Sequence, residues 1–160
     1  GASLIRVEAD EVTYNLHILL RFELEKALIE GDLQVRDLPA AWNERMQTYV
    51  GIRPDSDADG VLQDIHWPVG LIGYFATYTL GNLYAAQLYR KASIDLGELP
   101  AQIAEGNLGG LLGWLRDNIH SVGQRKTAAE LVQDVTGEPL NVDYLMQYLE
   151  GKFKPLYGLE

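Results

Sequence analysis

The chain has 160 residues, 47% of them hydrophobic, which is enough for a domain with a real core. Thirteen basic residues against 23 acidic ones leave a formal charge of −10, which weighs against nucleic acid and anionic membrane surfaces as partners. There is no cysteine, so disulfides and thiol catalysis are excluded, and no apolar run approaches the length of a bilayer span. The expected setting is soluble and cytoplasmic.

The first predicted helix opens at Asp10. It carries Val12, Leu16, Leu19, Leu20, Leu24, Ala27 and Leu28 at close to 3.6-residue spacing and stops at Gly31. Asp10, Tyr14, His17 and Arg21 share three-to-four spacing on the same segment, a pattern that reads as a buried hydrogen-bond network rather than a metal site. A second helix opens at Asp37 with Pro39 in its first turn and runs through Trp42, Met46 and Tyr49 to Gly51. From Ile52 to Gly73 the pattern is irregular. Within it, Asp55-x-Asp57-x-Asp59-Gly60 resembles the start of an EF-hand loop, but position twelve is His66 rather than the bidentate glutamate, which favours a solvated acidic turn.

The third helix is predicted from Tyr74 to about Ser93, apolar all round and therefore buried on more than one side. A short helix at Pro100 to Glu105 and one from Leu108 to His120 follow, the latter interrupted by Gly109, Gly110 and Gly113. Thr127-Ala128-Ala129-Glu130 is a capping box that opens a helix ending near Gly137. Asn141 caps the last one, which carries Leu145, Tyr148, Leu149 and Phe153 and is expected to end before Pro155. The sum is an all-α chain of about six helices with an irregular loop at 52–73, and with no repeat or linker a single domain over 1–160 is the simplest organisation.

Chemistry concentrates around that loop. His66 between Ile65 and Trp67 reads either as a loop histidine bonded to backbone or as a donor to a substrate carbonyl. Tyr74 and Tyr78 read either as amphipathic core residues or as hydroxyls placed where negative charge develops. Arg6, close to Glu8 and Asp10, reads either as a structural ion pair or as a bidentate grip on a carboxylate. No glycine-rich phosphate loop, GxSxG elbow or cysteine nucleophile is present.

Ile5-Arg6-x-x-Ala9-Asp10 and Gly60-x-x-Gln63-Asp64-x-His66-Trp67, together with Glu11-Val12-Thr13-Tyr14 and Leu80-Gly81-Asn82-Leu83-Tyr84-Ala85-Ala86-Gln87, resemble the signatures of the carboxypeptidase Taq family of zinc-dependent metallocarboxypeptidases, in the family's order. The resemblance covers essentially the whole chain, but only the C-terminal third of the family. It implies the helical C-terminal subdomain of an HExxH-type metallopeptidase, with the zinc-binding HExxH helix and the downstream glutamate ligand lying before residue 1. None of the three histidines, His17, His66 and His120, forms a His-x-x-x-His pair. The chain is thus expected to hold no metal, to be inactive alone, and to draw on zinc only in the complete enzyme.

The same resemblance implies roles. Arg6 would bind the carboxylate of a peptide C-terminus, and His66 with Tyr74, or alternatively Tyr78, would stabilise the oxyanion. Gln63, Asp64 and Trp67 would complete the substrate site, the first two by bracing the loop and Trp67 by packing beside the cleft. Ala76 stands where a proline usually follows the Tyr-Phe pair, and Pro68-Val69 replaces the usual small polar residue after the tryptophan. The competing expectation is a shortened, non-catalytic member that binds peptides or self-associates as a homo-oligomer through an exposed face near Tyr74 to Tyr89.

Overall fold

The computed structural model describes residues 1–159. Among them are seven α-helices and no strand, each answering to one of the helical segments predicted above: α1 (Tyr14–Glu30), α2 (Leu38–Tyr49), α3 (Ala76–Leu96), α4 (Leu99–Ala104), α5 (Gly109–Asn118), α6 (Ala128–Thr136) and α7 (Asp143–Tyr157). They fall into two compact units, residues 1–80 and 81–160, with the boundary inside α3.

In the first unit, α1 begins at Tyr14 with Thr13 as its N-cap rather than at Asp10, which instead organises the turn that leads into the helix. The Asp10 Oδ1 accepts the N–H groups of Val12 and Thr13 and the Thr13 hydroxyl, and its carbonyl accepts the Tyr14 N–H at 2.9 Å. Those N–H donors hold the Asp10 carboxyl below the usual carboxylate range. Gly31 closes the helix at φ +84°, a conformation that suits glycine. Leu20 and Leu24 of α1 pack on Leu38, Trp42, Met46 and Val50, with Leu16 and Leu28 at the margin.

The buried face of α1 departs in part from the predicted one, although His17 and Arg21 are buried as their polar spacing implied. Val12 and Leu19 are exposed, whereas His17, Arg21 and Glu25, one turn apart from each other, are buried. The reason is tertiary. Each of those three polar side chains finds partners outside the helix, and a satisfied polar group is no longer expensive to bury.

Loop 52–73 is irregular as expected, with 3-10 turns at Val61–Gln63 and Trp67–Val69. Asp55, Asp57 and Asp59 are exposed, and the Ser56 hydroxyl bonds to Asp59. The helix after the loop begins at Ala76 rather than Tyr74, because the chain enters through a tight turn: Gly73 has φ +79°, and the Tyr74 carbonyl accepts the Thr77 N–H.

In the second unit, Ala92 of α3, Leu99 of α4 and Trp114 of α5 form the core, bordered by Leu88, Leu96, Leu111, Leu115, Ile119 and Val135. The Trp114 indole N–H donates to Asp95 at 2.9 Å. The Thr127–Glu130 capping box forms as predicted, and Gly137 ends α6 at φ +87°. Contrary to the all-round burial expected of α3, only Gln87 and Ala92 on it are buried, while Leu80, Tyr89 and Ile94 are exposed. Gln87 is satisfied on every side: it donates to Thr136 Oγ1 and the Pro139 carbonyl and accepts the Asn141 N–H.

Asn141 accepts the Asp143 N–H at the start of α7, and the helix continues through Pro155 to Tyr157 instead of stopping before it. Pro155 removes one hydrogen bond, to the carbonyl of Gly151, but both residues are exposed, so the carbonyl stays open to solvent and the loss costs little. No helix among the described residues is long and apolar enough to cross a membrane.

Candidate functional site

The loop is fixed to α1 by two carboxylates. Glu25, 5% exposed, accepts the Trp67 indole N–H on one oxygen and the Gly73 N–H on the other, both at 2.8 Å. Asp64, also 5% exposed, takes the Arg21 Nε–H on Oδ2 at 2.9 Å and the His66 backbone N–H on Oδ1 at 2.8 Å. Arg21 lies over the Trp42 ring at 4.5 Å and donates from Nη1 to the His17 carbonyl. Burial pulls its guanidinium down to about 10, still well above neutral pH, while Asp64 opposes the shift.

His17 continues the network toward the N-terminal segment. Its Nε2 is 3.0 Å from the Ser3 carbonyl, an acceptor, and its Nδ1 is 3.4 Å from Arg21 Nη1, a donor. The proton therefore resides on Nε2. Burial, reinforced by the Arg21 charge, pushes His17 down to about 4, so it is neutral under ordinary conditions.

Above this buried layer the anchored loop presents an aromatic cluster. His66, 5% exposed, rests at 4.7 Å from the Phe75 ring, stacks with Tyr74 at 5.7 Å and meets Tyr78 edge-on at 5.8 Å. Its Nε2 is hydrogen-bonded to the Tyr78 hydroxyl at 3.0 Å. Tyr74 and Tyr78 touch edge-to-face at 5.4 Å. Tyr74 is 43% exposed, and among the described residues nothing bonds its hydroxyl.

Arg6, on a 3-10 turn at Arg6–Glu8, donates from Nη1 to the Tyr14 hydroxyl at 3.0 Å and sits 5.0 Å from the centre of the Tyr78 ring. Among the described residues Arg6 forms no ion pair with Glu8 or Asp10, the pairing the sequence left open. Arg6 is half-buried.

The structure thus brings Arg6, His66, Tyr74 and Tyr78 into one group. Of the other singled-out residues, Trp67 lies beneath it, edge-on to Trp42 and Phe75, and Asp64 supports it from the buried side. Gln63 is exposed and turns its amide to the Ala58 carbonyl, inside its own loop. Sequence reading passed over Glu25 and Phe75. Glu25 extends the His17–Arg21 spacing by one further turn, a signal that was available; Phe75 carried no signal beyond its neighbours.

Among the described residues no group of three or more histidines or carboxylates is arranged to hold a metal ion. His17 has both ring nitrogens facing protein partners, His66 Nε2 faces Tyr78, and His120 belongs to the second unit.

Comparison with known proteins gives one consistent result. Residues 1–153 match the family model for the carboxypeptidase Taq (M32) metallopeptidases. The chain is 53% identical over 156 residues to thermostable carboxypeptidase 1 of Thermus thermophilus, covering 98% of this chain and 31% of that protein. It is 48% identical to carboxypeptidase 1 of Bacillus subtilis, with the same shares covered. The crystal structure of the M32 carboxypeptidase from Deinococcus radiodurans superposes with a TM-score of 0.96 at 45% identity, over 99% of this chain and 32% of that one. The chain therefore spans about a third of the length of the relatives it matches.

Proposed function

Because this chain belongs to the carboxypeptidase Taq (M32) metallopeptidase family, we propose that it forms the substrate side of the cleft in a zinc-dependent carboxypeptidase, corresponding to the C-terminal third of the complete enzyme. In this reading Arg6 holds the carboxylate of a peptide C-terminus, and His66 with Tyr74, or alternatively Tyr78, lies beside the carbonyl oxygen of the last peptide bond. Asp64 and Gln63 act by shaping the loop, and Trp67 floors the group. The observation that carries the reading is the layered contact of Arg6 on Tyr78 and of Tyr78 on His66, with Tyr74 stacked beside them, which gathers a cation and polar aromatic groups at one place.

The donor set of the described residues does not fit the zinc that a metallocarboxypeptidase requires. In the proposed enzyme the metal belongs to a part of the fold that this chain does not match, and the 160 residues alone are inactive. A cysteine-free chain makes no demand for an oxidising compartment, in keeping with a cytoplasmic location.

The test uses a complete family member changed at the positions equivalent to those named. Arg6→Ala is expected to lower kcat/KM on peptides with a free C-terminus by about a hundredfold, the worth of a charged hydrogen-bonded grip. Full activity after that change, or after His66→Phe combined with Tyr74→Phe, defeats the reading. Turnover of a blocked dipeptide by the 160-residue chain with added zinc would defeat its inactive part.

A second reading, a peptide-binding or self-associating module, is favoured by an apolar groove of about 320 Å³ within the first unit, lined by Leu16, Ile18, Leu19, Phe22 and Leu80 among others. Its occupant would be a second copy of the chain. A concentration-independent monomer mass in solution sinks it.

A further inference from the structure

The buried ion pair does more than hold the loop. His66 Nδ1 has no hydrogen bond of good geometry, yet the atom that faces it is Asp64 Oδ1, at 3.5 Å. A carboxylate can only accept, so a lone pair on Nδ1 would meet a full negative charge, whereas an N–H there is attracted. Asp64 cannot turn away, because Oδ2 is tied to Arg21 and Oδ1 to the His66 backbone N–H. At the opposite end of the pair, the Arg21 guanidinium imposes the reverse choice on His17, whose Nδ1 must accept.

We propose that the Arg21–Asp64 pair is a positioning device that fixes His66 as the Nδ1–H tautomer, leaving its Nε2 as an acceptor to which the Tyr78 hydroxyl donates. Arg21 and Asp64 touch no substrate in this arrangement and act through His66. The consequence for chemistry rests on the proposed oxyanion role. In its neutral form His66 has no proton to offer from Nε2, and the Tyr78 proton is committed to that nitrogen at 3.0 Å. Donation toward a developing oxyanion then falls to the exposed hydroxyl of Tyr74, which decides between the two tyrosines that the sequence left as alternatives.

The tautomer is read directly from the side-chain ¹⁵N shifts of His17 and His66 in the labelled 160-residue chain, at a pH where imidazole is neutral. The expected spectrum shows His66 with a protonated Nδ1 and a lone-pair Nε2, and His17 with the opposite pattern. A protonated Nε2 on His66, or an equal mixture of tautomers, overturns the proposal. Asp64→Asn, folded as judged by circular dichroism, is expected to lose the Nδ1–H preference; an unchanged His66 spectrum in that variant shows that Asp64 does not set it. Should Asp64→Asn fail to fold, Tyr78→Phe serves: His66 keeps its tautomer if Asp64 dictates it, and switches if Tyr78 does, which also overturns the proposal. These readouts are independent of activity, so failure of the carboxypeptidase reading and failure of the tautomer assignment are told apart.

Discussion

His17 shows how one side chain links the sequence to a solution property. Buried beside Arg21 and bonded to the Ser3 carbonyl, it is held down to about 4 from an ordinary 6.5. Between those values the unfolded chain takes up a proton that the folded chain refuses, so stability rises with pH across the window and falls as acid is added. The expected loss from this group is about 2 kcal/mol on going from pH 7 to pH 5. Urea midpoints at the two pH values check it, with His17→Asn expected to flatten the dependence; equal wild-type midpoints would contradict it. The polar spacing of Tyr14, His17 and Arg21 was legible in the sequence as a buried network. What it bonds to was not, because Ser3 and Asp64 lie 14 and 43 positions from their partners.

Among elements, loop 52–73 and helix α6 are opposites. Helix α6 is local in origin: the Thr127 hydroxyl and the Glu130 carboxylate bond back to each other's N–H, and Gly137 supplies the left-handed stop. Such ends are readable from four residues and a glycine. Thr127→Ala is expected to cost about 1 kcal/mol. The loop has no comparable local pattern, and its shape depends on Glu25 of α1 receiving both the Trp67 indole and the Gly73 N–H. Glu25→Ala leaves two donors without their acceptor and is expected to cost about 2–4 kcal/mol, more than the cap. Comparison of the two variants by chemical unfolding checks this; a Glu25→Ala penalty no larger than that of Thr127→Ala would mean that the loop is held by other means. Helix α7 adds a smaller lesson: Pro155 need not end the helix where losing one bond costs little, as at this exposed site.

At the scale of the whole molecule, exposed apolar side chains meet a net charge of −10. Leu19, Phe22 and Leu80, each 41–43% exposed, line the apolar groove of the first unit. Self-association through such a face works against charge repulsion, which salt screens. The expected outcome is a solution mass that increases with salt, returned to the monomer by Phe22→Asp; a monomer at every salt concentration would rule this out. The sequence by itself determined the helical class, the helix ends set by Gly31, Thr127 and Gly137, and the family membership, because caps, stops and motifs are written within a few adjacent residues. Only the tertiary structure decided which face of α1 is buried, and which of the candidate residues meet. Hydropathy counts His17, Arg21 and Glu25 as outward-facing, yet partners brought in by the loop and the N-terminal segment remove the cost of burying them, and that exchange is visible only once distant parts of the chain are in contact.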